Sequence, residues 1–244
     1  MNDKNKFFTS KNNNLLSALS TKDLSLLQPH LTILHVEKGH VLYNPGDLVT
    51  STYFPCDATL ISFFVVLNDS KIVETTLIGR EGAVGGIVSQ GNIAAYCKAE
   101  VQHSGVVLCL KSKALEEAKS QSLTLNHFFA RYADCLMSQV FQSVACNAAH
   151  TIEQRFAKWI LAANDRTNND ILSLSQEHLS NMLGVGRSYL TRVISSMKEK
   201  NAISTSRGKI NIQNKPLLES IACDCNNAVK KHFEEVLNGI YPNN

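Results

Sequence analysis

The sequence predicts an α+β chain with an N-terminal antiparallel β-domain, a long connecting helix and a C-terminal winged helix-turn-helix. Three observations carry the prediction. Short β-rich runs separated by turn residues fill residues 33–110. An apolar seam at helical spacing follows, through Leu125, Phe129, Tyr132, Leu136, Val140 and Val144. Near the end, two short amphipathic runs hinge at Gly184 and lead into a small hairpin around Gly208.

The elements can be justified in order. Residues 1–14 are rich in Lys and Asn, lack an apolar signal core and read as a disordered tail. A short helix is expected over 15–30, with Ser20 placed to cap it three residues before Asp23. The β-runs are 33–36, 41–43, 60–67, 71–78, 96–101 and 106–110, with turns at Lys38-Gly39, Asn44-Pro45-Gly46-Asp47 and Asn68-Asp69-Ser70. Such closely spaced strands make a sandwich or a barrel. Helix resumes near Lys113. The seam from Leu125 to Val144 is longer than a small β-domain can cover and is expected to form a dimer interface, although a seam alone does not name its partner. Thr151-Ile152-Glu153-Gln154 fits a capping box and opens a fresh helix with Ile152, Phe156, Trp159, Ile160 and Ala163 on its buried side. The expected units are therefore a tail at 1–14, a β-domain at 15–122, a dimerisation helix at 123–150 and a DNA-binding domain at 151–244.

In the last unit Ser175 is placed to cap a helix carrying Leu179 and Leu183, which Gly184 ends through left-handed geometry. Small Ser180 lets a second helix cross closely. That second helix buries Leu190, Val193, Ile194 and Met197 and turns Arg187, Ser188, Thr191, Arg192 and Ser195 the other way. An apolar back and an Arg/Ser/Thr front suit the DNA major groove. Residues 201–212 read as a wing. Between Gly184 and Ile210 the cations are Arg187, Arg192, Lys198, Lys200, Arg207 and Lys209, against Glu199 alone, which is the charge pattern of phosphate binding. Arg187 and Arg192 are expected at guanine edges or phosphates, Ser188 at a base or phosphate, Thr191 at a thymine methyl, and Lys198, Arg207 and Lys209 at phosphates.

Composition narrows the class. With 44% hydrophobic residues the chain can bury ordinary cores, and a net charge of only +3 confines the basic character to one face. No apolar run approaches the roughly 20 residues of a membrane span, so a cytoplasmic protein is expected. Seven cysteines, an odd number, favour reduced thiols. Cys223 and Cys225 are separated by one residue, closer than the usual zinc pair, and a zinc site needs four ligands. Cys146 and nearby histidines are candidate contributors that the sequence does not place, and no metal is assigned.

In this order the parts resemble the Crp-Fnr family of bacterial transcription regulators. The resemblance runs from about Leu15 to Val236 and is carried by Lys38-Gly39, Asn44-Pro45-Gly46-Asp47, Leu77-Ile78-Gly79-Arg80-Glu81-Gly82, Glu153-Gln154-Arg155 and residues 173–212. It implies a cyclic-nucleotide-binding-like jelly roll, a dimer helix and a winged helix-turn-helix that reads half of a palindrome. It implies duplex DNA, a second copy of the chain and RNA polymerase as partners, with base- and phosphate-reading roles at Arg187, Ser188 and Arg192. Nucleotide-binding members hold the ribose with a Glu and the cyclic phosphate with an Arg; Gly86 and Ile93 stand at those places here, so cyclic nucleotide is not expected. No cysteine precedes Cys56 to match the iron–sulfur members, and His35, His40 and His103 offer no assignable haem ligand. Ser188 replaces an acid that reads cytosine, so the half-site should differ.

An input at the β-domain is expected to shift the long helix and re-aim the two reading helices; the effector is unknown. The Gly-rich stretch 79–91 matches the family's ligand loop, and tight turns explain its glycines equally well. A metal-dependent oxygenase on the β-domain would need converging ligands, for which only His35, Glu37 and His40 are near, so no enzyme is expected. The remaining alternative is a ligand-sensing adaptor whose basic face docks a protein.

Overall fold

The computed structural model describes residues 12–68, 72–87 and 94–238. Most of the expected tail, residues 1–11, lies outside them, but its last residues are packed. Asn13 is fully buried; its side chain accepts from the Leu16 amide and donates to the carbonyls of Pro55 and Gly82. That cap starts α1 (Asn14–Ser17), so residues 12–14 belong to the β-domain rather than to a tail. The single helix expected over 15–30 is two, α1 and α2 (Thr21–Leu27), closed by a 3-10 turn at Gln28–His30. Ser20 accepts from the Asp23 amide as expected and starts the second.

The β-domain is a sandwich of two four-stranded antiparallel sheets. One runs in the order β1 (Thr32–Val36), β8 (Gly105–Lys111), β3 (Ser51–Cys56), β6 (Val84–Gly85). The other runs β2 (Val41–Tyr43), β7 (Lys98–His103), β4 (Leu60–Val66), β5 (Ile72–Ile78). Of the turn expected at Asn68-Asp69-Ser70, Asp69 and Ser70 lie outside the described residues. Two strands of the sandwich escape the sequence reading. β3 contains Pro55, which argues against a strand, but β6 pairs only with Thr52 and Tyr53, so Pro55 faces an unpaired edge where no amide is needed. β6 is too short to show alternation.

Helix α3 (Ser112–Gln121) ends at Ser122, whose hydroxyl accepts from the Leu125 amide and so caps α4 (Leu123–Ala149). Thr151 and Gln154 then form the expected capping box at the start of α5 (Ile152–Thr167). The C-terminal unit continues through β9 (Ile171–Ser173), α6 (Gln176–Leu183), α7 (Arg187–Glu199), β10 (Ile203–Ser206), β11 (Lys209–Ile212), α8 (Lys215–Ile221) and α9 (Cys225–Val236). The wing is a three-stranded sheet in the order β10-β11-β9, its third strand unforeseen. α9 returns along α4 and inserts Val229 and Phe233 into the core of the β-domain. Among the described residues no helix is long and apolar enough to cross a membrane.

The seam on α4 divides. Leu125, Phe129 and Tyr132 are buried against the chain's own β-domain and α9, and Leu136 packs at the edge of that core. These are core positions of one chain, not an open dimer face. Further along, Val140 and Val144 are exposed, together with Met137 at 53% and Phe141 at 65%. The crossover is geometric: α4 outruns the sandwich, so its first half has an intramolecular partner and the exposed stripe of its second half has none among the described residues.

Candidate nucleic-acid interface

The helix-turn-helix is assembled as its residues dictate. The Ser175 hydroxyl accepts from the His178 amide at 3.1 Å, satisfying a first-turn donor of α6. Gly184 ends α6 at φ 66°, ψ 34°, the left-handed geometry expected of it. Ser180 is buried where α6 and α7 cross. Leu190, Val193, Ile194 and Met197 are buried in the core shared with Leu179 and Leu183. Arg155 on α5 donates to the Leu183 carbonyl at 2.9 Å, tying the end of α6 to its scaffold.

Every residue assigned to DNA is exposed: Ser175, Arg187, Ser188, Thr191, Arg192, Ser195, Lys198, Arg207 and Lys209. Arg187, Ser188, Thr191, Arg192 and Ser195 lie along one side of α7. Arg207 and Gly208 form the turn of the wing, with Gly208 at φ 70°. Three details go beyond the sequence reading. Arg187 Nη2 lies 3.4 Å from Glu177 Oε2, a solvent-exposed pair worth little and easily exchanged for a phosphate. The Thr191 hydroxyl donates to the Arg187 carbonyl at 2.9 Å, so it is held against its own helix. Arg192 stacks over the half-exposed Tyr189 ring, 5.2 Å from its centroid, which makes Tyr189 a surface residue of α7 that apolar patterning missed.

This unit docks on the β-domain of its own chain. Leu60 and Leu77 join the core of Phe156, Trp159, Ile160, Leu179 and Met182. Trp159 Nε1 donates to Glu74 Oε1 at 2.7 Å and Arg166 Nε donates to Glu81 Oε1 at 2.7 Å. Lys38 Nζ donates to the Ser173 carbonyl at 2.6 Å. His178 lies edge-on to Phe64 and Trp159. Desolvation, and then the nearby Lys38 charge, push its imidazole down to about 4, so it is neutral at pH 7. Desolvation pushes the Glu74 carboxyl up to about 7, against the hydrogen bonds from Ser62 and Trp159.

The Gly-rich stretch 79–91 is committed to packing over its described part. The Tyr132 hydroxyl accepts from the Ala83 amide at 2.7 Å and donates to the Ala83 carbonyl at 2.9 Å. A Cβ on Gly82 would sit 2.3 Å from that hydroxyl, and one on Gly85, at φ +115°, would sit 2.3 Å from the Ser51 carbonyl oxygen. These two glycines serve close backbone approach. Gly86 is buried; Ile93 lies outside the described residues. No metal is expected from sequence, yet the structure gathers Cys146, His150, Cys223 and Cys225 at the far end of α4.

Residues 154–221 match the family model of the Crp-like helix-turn-helix domain. No curated protein sequence matches the chain significantly. Solved structures share its fold over most of its length. A protein described as a transcriptional regulator of the Crp/Fnr family from Eubacterium rectale is 16% identical, with 86% of this chain and 98% of that one covered at a TM-score of 0.66. FixK2 from Bradyrhizobium japonicum is 14% identical, with 79% and 98% covered and a TM-score of 0.65. TTHB099 from Thermus thermophilus, a regulator of the CRP family, is 18% identical, with 78% and 96% covered and a TM-score of 0.66.

Proposed function

We propose that this chain, which carries a Crp-like helix-turn-helix domain on the fold of the Crp-Fnr transcription regulators, acts as a dimeric, sequence-specific DNA-binding regulator of transcription. The observation that supports it most is the exposed row Arg187, Ser188, Thr191, Arg192 and Ser195 on α7, backed by a fully packed apolar face. Two arginines there offer forked donors for guanine edges or phosphates. Lys198 at the end of α7 and Arg207 and Lys209 on the wing supply phosphate contacts that fix register.

The dimer contact in this reading is the outer half of α4. Met137, Val140, Phe141 and Val144 recur at i, i+3, i+4 and i+7, the stripe two helices use to pack. A two-fold axis there presents two α7 helices to half-sites about 34 Å apart. An input signal then acts through α4 and the docked C-terminal unit, and RNA polymerase is the downstream partner.

The test is fluorescence anisotropy of the full chain on labelled genomic fragments across a salt series. Affinity should fall steeply and log-linearly with salt, through counterion release. Indifference to all fragments at low ionic strength removes the DNA reading. Salt-insensitive capture of a protein in its place supports the adaptor.

A further inference from the structure

Four side chains at the end of α4 form a cluster that DNA binding does not use. Cys146 and His150 are one helical turn apart, and His150 is the residue that ends the helix. Cys223 and Cys225 flank Asp224, the residue that precedes α9. Three sulfurs and an imidazole nitrogen, one from each, all lie within 4.8 Å of one another. Cys146 Sγ is 3.6 Å from Cys223 Sγ, and Cys225 Sγ is 3.5 Å from His150 Nδ1. Tetrahedral zinc, with Zn–S about 2.3 Å and Zn–N about 2.0–2.1 Å, sets ligand edges of about 3.8 Å for S–S and about 3.5 Å for S–N. The two observed edges fit.

N–H donors reach two of the sulfurs. Gln142 Nε2 donates to Cys225 Sγ at 3.1 Å, and Lys158 Nζ lies 3.5 Å from Cys146 Sγ. Three thiolates and a neutral imidazole leave a zinc centre with one net negative charge, which the lysine offsets, while N–H donors to sulfur orient such ligands. All three cysteines are buried, so the shell is closed by four protein donors, as in structural sites. A disulfide accounts for less: 3.6 Å is far beyond the bonded distance of about 2.05 Å, and it would leave Cys225 and His150 without a part. An iron–sulfur cluster interposes its own sulfides and spreads its protein ligands more widely than one metal ion does.

We propose that Cys146, His150, Cys223 and Cys225 bind one zinc ion in a tetrahedral shell, and that the metal pins the start of α9 to the joint between α4 and α5. The joint is short: His150 closes α4 and Thr151 caps α5. Zinc therefore braces the only covalent path from the long helix into the helix-turn-helix. The site stands apart from the DNA reading and is tested without DNA.

The full chain, purified under reductant, is loaded with Zn²⁺ and, separately, with Co²⁺. The expected result is about one metal per chain and a cobalt spectrum with strong ligand-field bands and sulfur-to-cobalt charge transfer. Gln142→Ala, outside the ligand set, should weaken binding about 10–100-fold. His150→Cys should keep the metal and intensify the charge-transfer band. Chelation should raise hydrogen exchange across residues 148–152 and 223–230. A folded chain, checked by circular dichroism, that takes up no stoichiometric metal overturns the proposal. So does an iron–sulfide chromophore, or a cobalt spectrum unchanged in folded Cys223→Ser and Cys225→Ser. If those variants do not fold, the wild-type cobalt spectrum decides: octahedral bands without sulfur charge transfer overturn the site.

Discussion

Arg166 on α5 and Glu81 in the turn after β5 form an ion pair of 2.7 Å whose side chains are 2% and 4% exposed. The pair crosses the junction between the C-terminal unit and the β-domain. Glu81 also accepts from the Gly79 amide at 3.1 Å, and Arg166 donates to the Ala162 carbonyl at 3.0 Å. The Gly-rich turn after β5 is thereby latched to α5, the helix that shares a core with α6 and α7. Displacement of one therefore acts directly on the other.

Breaking this latch from one side should be costly. Arg166→Ala leaves a buried carboxylate unpaired, with an expected loss of about 3–5 kcal/mol. Replacing both partners, as Arg166→Met with Glu81→Leu, should recover most of it. Denaturant titrations of the single and double variants check this; equal losses in both would mean that the charges are not the source.

Glu74 should make stability depend on pH. Its folded pKa is raised from 4.5 to about 7, so between those values the folded chain keeps a proton the unfolded chain has released. The resulting stabilisation is fully present below about 4.5, is lost as pH rises through about 7, and changes no further above it. Glu74→Gln should flatten this dependence. Trp159, the sole tryptophan and a donor to Glu74, reports the site directly. Its fluorescence should titrate near pH 7 in the wild type and not in the variant. His178 beside it is held near 4 and does not overlap. A transition near 7 that survives the substitution would refute the assignment.

The two halves of α4 should fail differently. Phe129→Ala empties a buried site and should cost about 3–5 kcal/mol of folding stability. Phe141→Glu, on the exposed stripe, should leave the fold intact and produce monomers in light scattering and sedimentation. Unchanged mass for Phe141→Glu would place any dimer contact elsewhere.

Reading and holding should separate on DNA. Arg187→Ala should cost roughly 1–3 kcal/mol on the preferred site and relax selection at one base position. Lys209→Ala should weaken all sequences alike and reduce the salt slope by about 1. A selection experiment with randomised sites distinguishes the two; uniform weakening by Arg187→Ala would make it a phosphate contact.

Much of this protein is written locally. Ser20, Thr151 with Gln154, and Ser175 announce helix starts because a cap acts within three residues, and Gly184 announces a stop because only its own backbone must turn left-handed. The exposed basic face of α7 is legible because its period sorts Arg187 and Arg192 from Leu190 and Val193. What buries a seam is not local: Leu125 to Tyr132 met their own β-domain while Phe141 and Val144 did not, since only the folded sandwich fixes how far along α4 its cover extends. Equally, Cys146 meets Cys223 across 77 positions and Glu81 meets Arg166 across 85. Charge and ligand chemistry gain their strength from enclosure and convergence, and both are properties of the packed chain alone.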